Sequence, residues 1–159
     1  MTESKLSQQL AADSLEIGTQ VYSSRLIVGT GKYPSEDIAE KAINFSGAEL
    51  VTLALKRFDK GESSENILRP IGNKNLLPNT AGVLTADEAI RSAHISKELF
   101  KTNLLKLEII SSAANLDPNM EETLKAARSL SKEDFEIYVY CDRDIDNCKK
   151  LEDMGCVAI

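Results

Sequence analysis

Leu104-Leu105-Lys106-Leu107-Glu108-Ile109-Ile110 reads as a buried β-strand, because the run is short and rich in branched apolar side chains. Side chains alternate along a strand, so Leu105, Leu107 and Ile109 share one face. Leu104, Lys106, Glu108 and Ile110 share the other. The first face is wholly apolar and suits packing beneath helices. The second places an ammonium and a carboxylate in the middle of an apolar strand. Burying either charge alone is expensive, so the two are expected to be paired or to do chemistry. A lysine held in a partly dry pocket is a nucleophile toward a carbonyl. A structural ion pair fits the same seven residues, and they do not choose between the two readings.

Moving outward, the pattern repeats as strand then helix. On the N-terminal side, Thr85 and Glu88 form a capping box that opens a helix with Ala86, Ala89, Ile90, Ala93 and Lys97 on one face. His94 in that helix reads as a packing or surface residue. Before it come a strand over 75–80 containing Pro78, and a strand over 50–57 ending in Lys56 and Arg57. Those two charges stand at a strand mouth, as site residues or as a solvated rim. A shorter helical stretch over 63–69 connects these two strands. Further back, Leu26-Ile27-Val28-Gly29-Thr30-Gly31-Lys32 is an apolar strand with a glycine-containing loop, and Ser35 caps a helix through Phe45. Gly29-x-Gly31 fits a backbone phosphate cradle or a simple turn, and it lacks the third glycine of a dinucleotide fingerprint. Two short runs around Gly18 predict a small hairpin over 15–22.

On the C-terminal side, Asp117-Pro118 predicts a helix start, with Leu124, Ala127 and Leu130 inward. A strand over 135–141 follows, then a short helix ended by Gly155. Cys156-Val157-Ala158-Ile159 begins a sixth strand. A five-stranded doubly wound domain is expected to close on a helix, so the expected class is α/β. It reads as a (β/α)8 TIM-type barrel, truncated to about five and a half units with an N-terminal hairpin. Residues 1–13 read as a flexible N-terminal segment and 14–159 as the incomplete barrel domain.

The 159 residues are 42% hydrophobic and 28% charged, with a net charge of −6. That balance argues against nucleic acid or an anionic membrane as a general partner. No apolar run reaches the roughly 20 residues of a membrane span, and the polar N-terminus has no signal-peptide core, so a cytoplasmic location is expected. Cys141, Cys148 and Cys156 lack a Cys-x-x-Cys pair, and with a single histidine no metal site is expected. Free thiols are the simplest reading.

Five separate stretches resemble bacterial thiazole synthases, in that family's order: 24–33 (SRLIVGTGKY), 76–82 (LLPNTAG), 85–89 (TADEA), 105–108 (LKLE) and 122–126 (ETLKA). The resemblance implies a barrel whose bottom is covered by the hairpin. It implies an imine between Lys106 and the ketone of 1-deoxy-D-xylulose 5-phosphate, with Glu108 as general acid and base. Dehydroglycine would supply carbon and nitrogen, and a thiocarboxylated sulfur-carrier protein would deliver sulfur. Neither metal nor redox cofactor is implied, and assembly into homo-oligomers is. The family continues for about another hundred residues, in keeping with the size of such barrels. That part carries a catalytic aspartate and the phosphate-binding loops, so the 159 residues alone are expected to be inactive. The stretch 111–120 departs from the family's Leu-Pro-Asp-Pro run, which implies an altered loop beside Glu108. A Schiff-base barrel of aldolase type and a non-catalytic scaffold for the carrier are the alternatives.

Overall fold

In the computed structural model, which describes residues 13–60 and 64–159, the chain forms two sheets. The first is a hairpin of β1 (Leu15–Ile17) and β2 (Gln20–Tyr22), turned at Gly18. The second is a five-stranded parallel sheet of β3 (Ile27–Gly29), β4 (Leu50–Ala54), β5 (Asn75–Asn79), β6 (Leu104–Leu107) and β7 (Glu136–Val139). Helices α1 (Glu36–Phe45), α2 (Ser64–Leu68), α3 (Ala86–Phe100), α4 (Met120–Leu130) and α5 (Ile145–Asp153) separate or follow these strands. Apart from Asp13, the expected flexible N-terminal segment lies outside the described residues.

The strand order decides the architecture. The five strands lie side by side in sequence order, β3-β4-β5-β6-β7, with no reversal. A doubly wound sheet reverses its order at a switch point. Without a reversal, right-handed crossovers put every helix on the same face, and the other face is covered only if the sheet curls on itself. The sheet is therefore an arc of a (β/α) barrel. A sixth strand begins as expected, because Tyr138 bridges Ala158 in parallel.

Burial follows this layout. Leu105, Leu107 and Ile109 are fully buried against Ala89, Ala93, Ala127 and Leu130 of α3 and α4. Each such side chain contributes about 1.5–3 kcal/mol by leaving water. The opposite face has its own small core of Leu50, Leu77, Leu104 and Tyr138, closed from below by Leu15, Ile17 and Tyr22 of the hairpin. The hairpin is held there by Glu136, whose carboxylate accepts from the N–H (3.0 Å) and the hydroxyl of Thr19.

Several local expectations are corrected. The strand expected over 50–57 stops at Ala54, and a 3-10 helix, Leu55–Lys60, carries Lys56 and Arg57. Its Phe58 packs edge-on against Phe100, ring centres 5.2 Å apart, which pulls the chain off the sheet. The helix expected at Asp117-Pro118 is capped instead by Asn119, whose side chain accepts from the Glu122 N–H. Pro118 runs antiparallel beside Ile110. On α3 it is Ser96, not Lys97, that is buried, since 86, 89, 93 and 96 keep one phase. Lys97 lies 4.7 Å from the Phe135 ring centre. Pro78 is tolerated inside β5 because Thr80, two residues on, donates its N–H to Lys106. Alternate residues address the same neighbour, so the missing N–H of Pro78 faces β6, where the register is one pair, Asn79 with Lys106.

Candidate functional site

β6 is the strand that the 104–110 stretch predicts, and it places the two charges as expected. Lys106 and Glu108 project from the inner face, above the apolar floor and below the C-terminal mouth, where barrel enzymes build their sites. Lys106 Nζ lies 3.4 Å from Glu108 Oε2. The lysine side chain is 34% exposed and the carboxylate 20% exposed, so neither is sealed from solvent. Regular pairing of β6 stops at Leu107. Glu108 is held beyond that point by Thr80, whose hydroxyl accepts from the Glu108 N–H (2.9 Å) and donates to its carbonyl (2.8 Å).

The flanks of Lys106 are equally defined. Asn79 pairs with it from β5 and Tyr138 from β7. The Asn79 amide donates to Thr52 Oγ1 (2.9 Å) and accepts from the Ala81 N–H (3.1 Å), which fixes its orientation. The Tyr138 hydroxyl lies 3.3 Å from that of Tyr22, and burial raises both phenols above their usual range. The lysine thus stands over neutral groups, with one carboxylate beside it. The mouth above is a cavity of about 360 Å³ whose walls include Lys56, Arg57, Gly82, Glu108, Ile110 and Leu116. Leu116 belongs to the loop that follows Ile110, and its carbonyl accepts from the Tyr140 hydroxyl (3.2 Å).

Other singled-out residues fall elsewhere. Neither Gly29 nor Gly31 has a positive φ; Lys32 does, at 68°. That loop borders a separate cavity of about 410 Å³ between α1 and α2. His94 lies on the outer side of α3, 2.8 Å from Glu133, as a surface residue. The three cysteines carry free thiols, with Cys141 and Cys148 sulfurs 4.0 Å apart. Among the described residues no cluster of three His, Cys, Asp or Glu is placed to hold a metal, and no helix is long and apolar enough to cross a membrane. Thr80 and Asn79 were legible only as polar residues at the C-terminal end of a strand.

A family model described as Thiazole biosynthesis protein ThiG matches residues 16–159. The thiazole synthase of Sorangium cellulosum is 44% identical over 153 residues, covering 94% of this chain and 59% of that protein. The thiazole synthase of Dechloromonas aromatica is 47% identical over 150 residues, covering 91% and 58%. The chain therefore spans less than two thirds of the length of these curated relatives. Among solved structures, the Amycolatopsis orientalis BexX/CysO complex matches with a TM-score of 0.72 at 25% identity, over 89% of this chain and 59% of that one. An enolase-superfamily member from Polaromonas matches with a TM-score of 0.50 at 16% identity, over 96% and 39%, a likeness of fold alone.

Proposed function

Since the chain belongs to the ThiG family of thiazole biosynthesis proteins, we propose that it carries the imine-forming half of a thiazole synthase. The observation that carries this reading is the Lys106–Glu108 pair, 3.4 Å apart on the inner face at the barrel mouth. In the proposed reaction the neutral amine of Lys106 attacks the C2 carbonyl of 1-deoxy-D-xylulose 5-phosphate. Loss of water leaves a C=N bond to the enzyme. Glu108, as the carboxylate, then takes a proton from the carbon beside the imine and returns it to the adjacent position. That moves the carbonyl equivalent along the sugar chain. Thr80 keeps Glu108 aimed by holding its backbone. Dehydroglycine and the sulfur of a thiocarboxylated carrier protein complete the ring in the whole enzyme. The solved BexX/CysO neighbour, itself a two-protein complex, supports a protein partner.

Borohydride trapping tests the proposal. Incubation with the phosphoketose, reduction, digestion and mass spectrometry should place one ketose adduct on Lys106, and Lys106→Ala should remove it. A folded sample whose label never appears on Lys106, here or in a chain of full family length, overturns the imine role. Retained label in Glu108→Gln, with loss of solvent-deuterium exchange beside the imine, is the expected split between the two residues.

A further inference from the structure

Two of the three thiols meet. Cys141 follows the end of β7 and Cys148 lies in the first turn of α5, and their sulfurs are 4.0 Å apart. Sulfurs at that separation touch, and a covalent bond needs them to close by about 2 Å. The turn between them holds the contact in place. The Asp142 carboxylate accepts from the Asp144 N–H at 3.0 Å and from the Asn147 amide at 3.1 Å. The Asp142 N–H donates to Met120 Sδ at 3.4 Å, and the Cys148 N–H to the Asp144 carbonyl at 3.0 Å. The backbone on both sides of the pair is therefore fixed while the sulfurs face each other.

The two sulfurs are not equivalent. Cys141 packs against the main core and Cys148, half-buried, does not. Burial, and after it the Cys148 sulfur, push the Cys141 thiol up to about 11, so Cys141 keeps its proton. Cys148 is the sulfur left to meet an oxidant from solvent. Cys156 packs against the same core, and burial pushes its thiol up to about 11 as well. Among the described residues its sulfur meets neither of the other two.

We propose that Cys141 and Cys148 form a reversible redox pair, in which Cys148 reacts first with a hydroperoxide and Cys141 then closes the disulfide. In the first step the Cys148 sulfur attacks the peroxide, the O–O bond breaks, and a sulfenic acid and an alcohol or water result. In the second the Cys141 sulfur attacks that of Cys148, the S–O bond breaks, and hydroxide leaves as water with the Cys141 proton. The two thiols lose two electrons, which the peroxide takes up. The bond staples the end of β7 to α5, next to Tyr140, whose hydroxyl donates to Leu116 in the mouth wall. None of this depends on the imine reading.

Mass spectrometry of the wild-type chain tests the pair. The reduced protein is treated with one equivalent of hydrogen peroxide, alkylated and digested with trypsin. Cleavage after Arg143 and Lys149 puts the three cysteines in three peptides. The expected product joins the Cys141 and Cys148 peptides with loss of two hydrogens, leaves Cys156 alkylated, and is reversed by dithiothreitol. In urea the preference should vanish, because Cys148 stands seven residues from Cys141 and eight from Cys156 and the two loops close with similar ease. Cys141→Ser should leave Cys148 as a sulfenic acid that dimedone captures, and Cys148→Ser should leave Cys141 a free thiol at the same dose. In the oxidised wild-type chain, amide exchange over 140–148 should slow severalfold. A folded chain that yields no Cys141–Cys148 product, or the same product mixture as in urea, overturns the proposal. Dimedone capture at Cys141 rather than Cys148 overturns the order of the two sulfurs, and unchanged amide exchange overturns the staple.

Discussion

At the scale of single residues, the proposed chemistry would depend on the groups that hold Glu108 as much as on Glu108 itself. Thr80 is 2% exposed and its hydroxyl satisfies both backbone groups of Glu108 where the β6 ladder has ended. Thr80→Val keeps the shape and removes both bonds, so a buried N–H and C=O lose their partner. The expected loss is about 1–3 kcal/mol of stability, read as a lower urea midpoint. Under the proposed chemistry, deuterium exchange beside the trapped imine should also fall by about tenfold, equivalent to about 1.4 kcal/mol. The yield of imine should stay near wild type, and Thr80→Ser should restore exchange. A variant that loses stability but exchanges normally would show that Thr80 merely supports the fold. That Lys106 and Glu108 share the inner face, where they lie 3.4 Å apart, was legible from alternation, because charges interrupting an apolar strand stand out. Thr80 was not, since a threonine at a strand end looks the same whether it clamps a neighbour or faces water.

At the scale of elements, the hairpin packs on the sheet through Leu15, Ile17 and Tyr22, and its turn is fastened by the Glu136 carboxylate. Gly18 sits at φ +58°, and its missing Cβ leaves room for the Glu136 carboxylate and for Val157. Gly47 has a similar φ of +69° with open space around it. Gly47→Ala should cost only the left-handed backbone strain, about 1 kcal/mol. Gly18→Ala adds displacement of Glu136, and with it the two bonds from Thr19. It should cost at least about 1 kcal/mol more than Gly47→Ala and speed amide exchange across β1 and β2, with α3 and α4 protected as before. Equal effects of the two substitutions would mean that the carboxylate does not fasten the hairpin. The hairpin, the Ser35 and Thr85 caps and all five sheet strands were readable because each rests on local chemistry: a turn glycine, a capping hydroxyl, an apolar run. The misread boundaries rest on distant contacts. β4 stops early because Phe58 finds Phe100. Asp117-Pro118 fails to start α4 because the chain there pairs with Ile110, and the Ser111 N–H claims the Asp117 carbonyl.

At the scale of the whole molecule, strand order was the part that the residues did not write locally, since any β/α repeat is compatible with several orders until the crossovers are seen. The sequential order found has a physical consequence at the sheet's edges. β3 pairs with β4 and, among the described strands, with nothing on its other side. Leu26 and Ile27 along that edge are 47% and 44% exposed. An apolar edge with unpaired backbone donors and acceptors is a template for another chain. The 159-residue chain should therefore self-associate in a concentration-dependent way, seen as a sedimentation coefficient that rises with loading. Ile27→Lys places a charge at the edge, where the side chain is already half in water, so its urea midpoint should stay close to wild type. The same substitution should shift the population toward monomer, because a second strand would have to bury the ammonium. A wild-type chain that sediments as a monomer at every concentration would remove the edge as an association surface. Association that persists unchanged in Ile27→Lys would place the contact on another surface, away from β3.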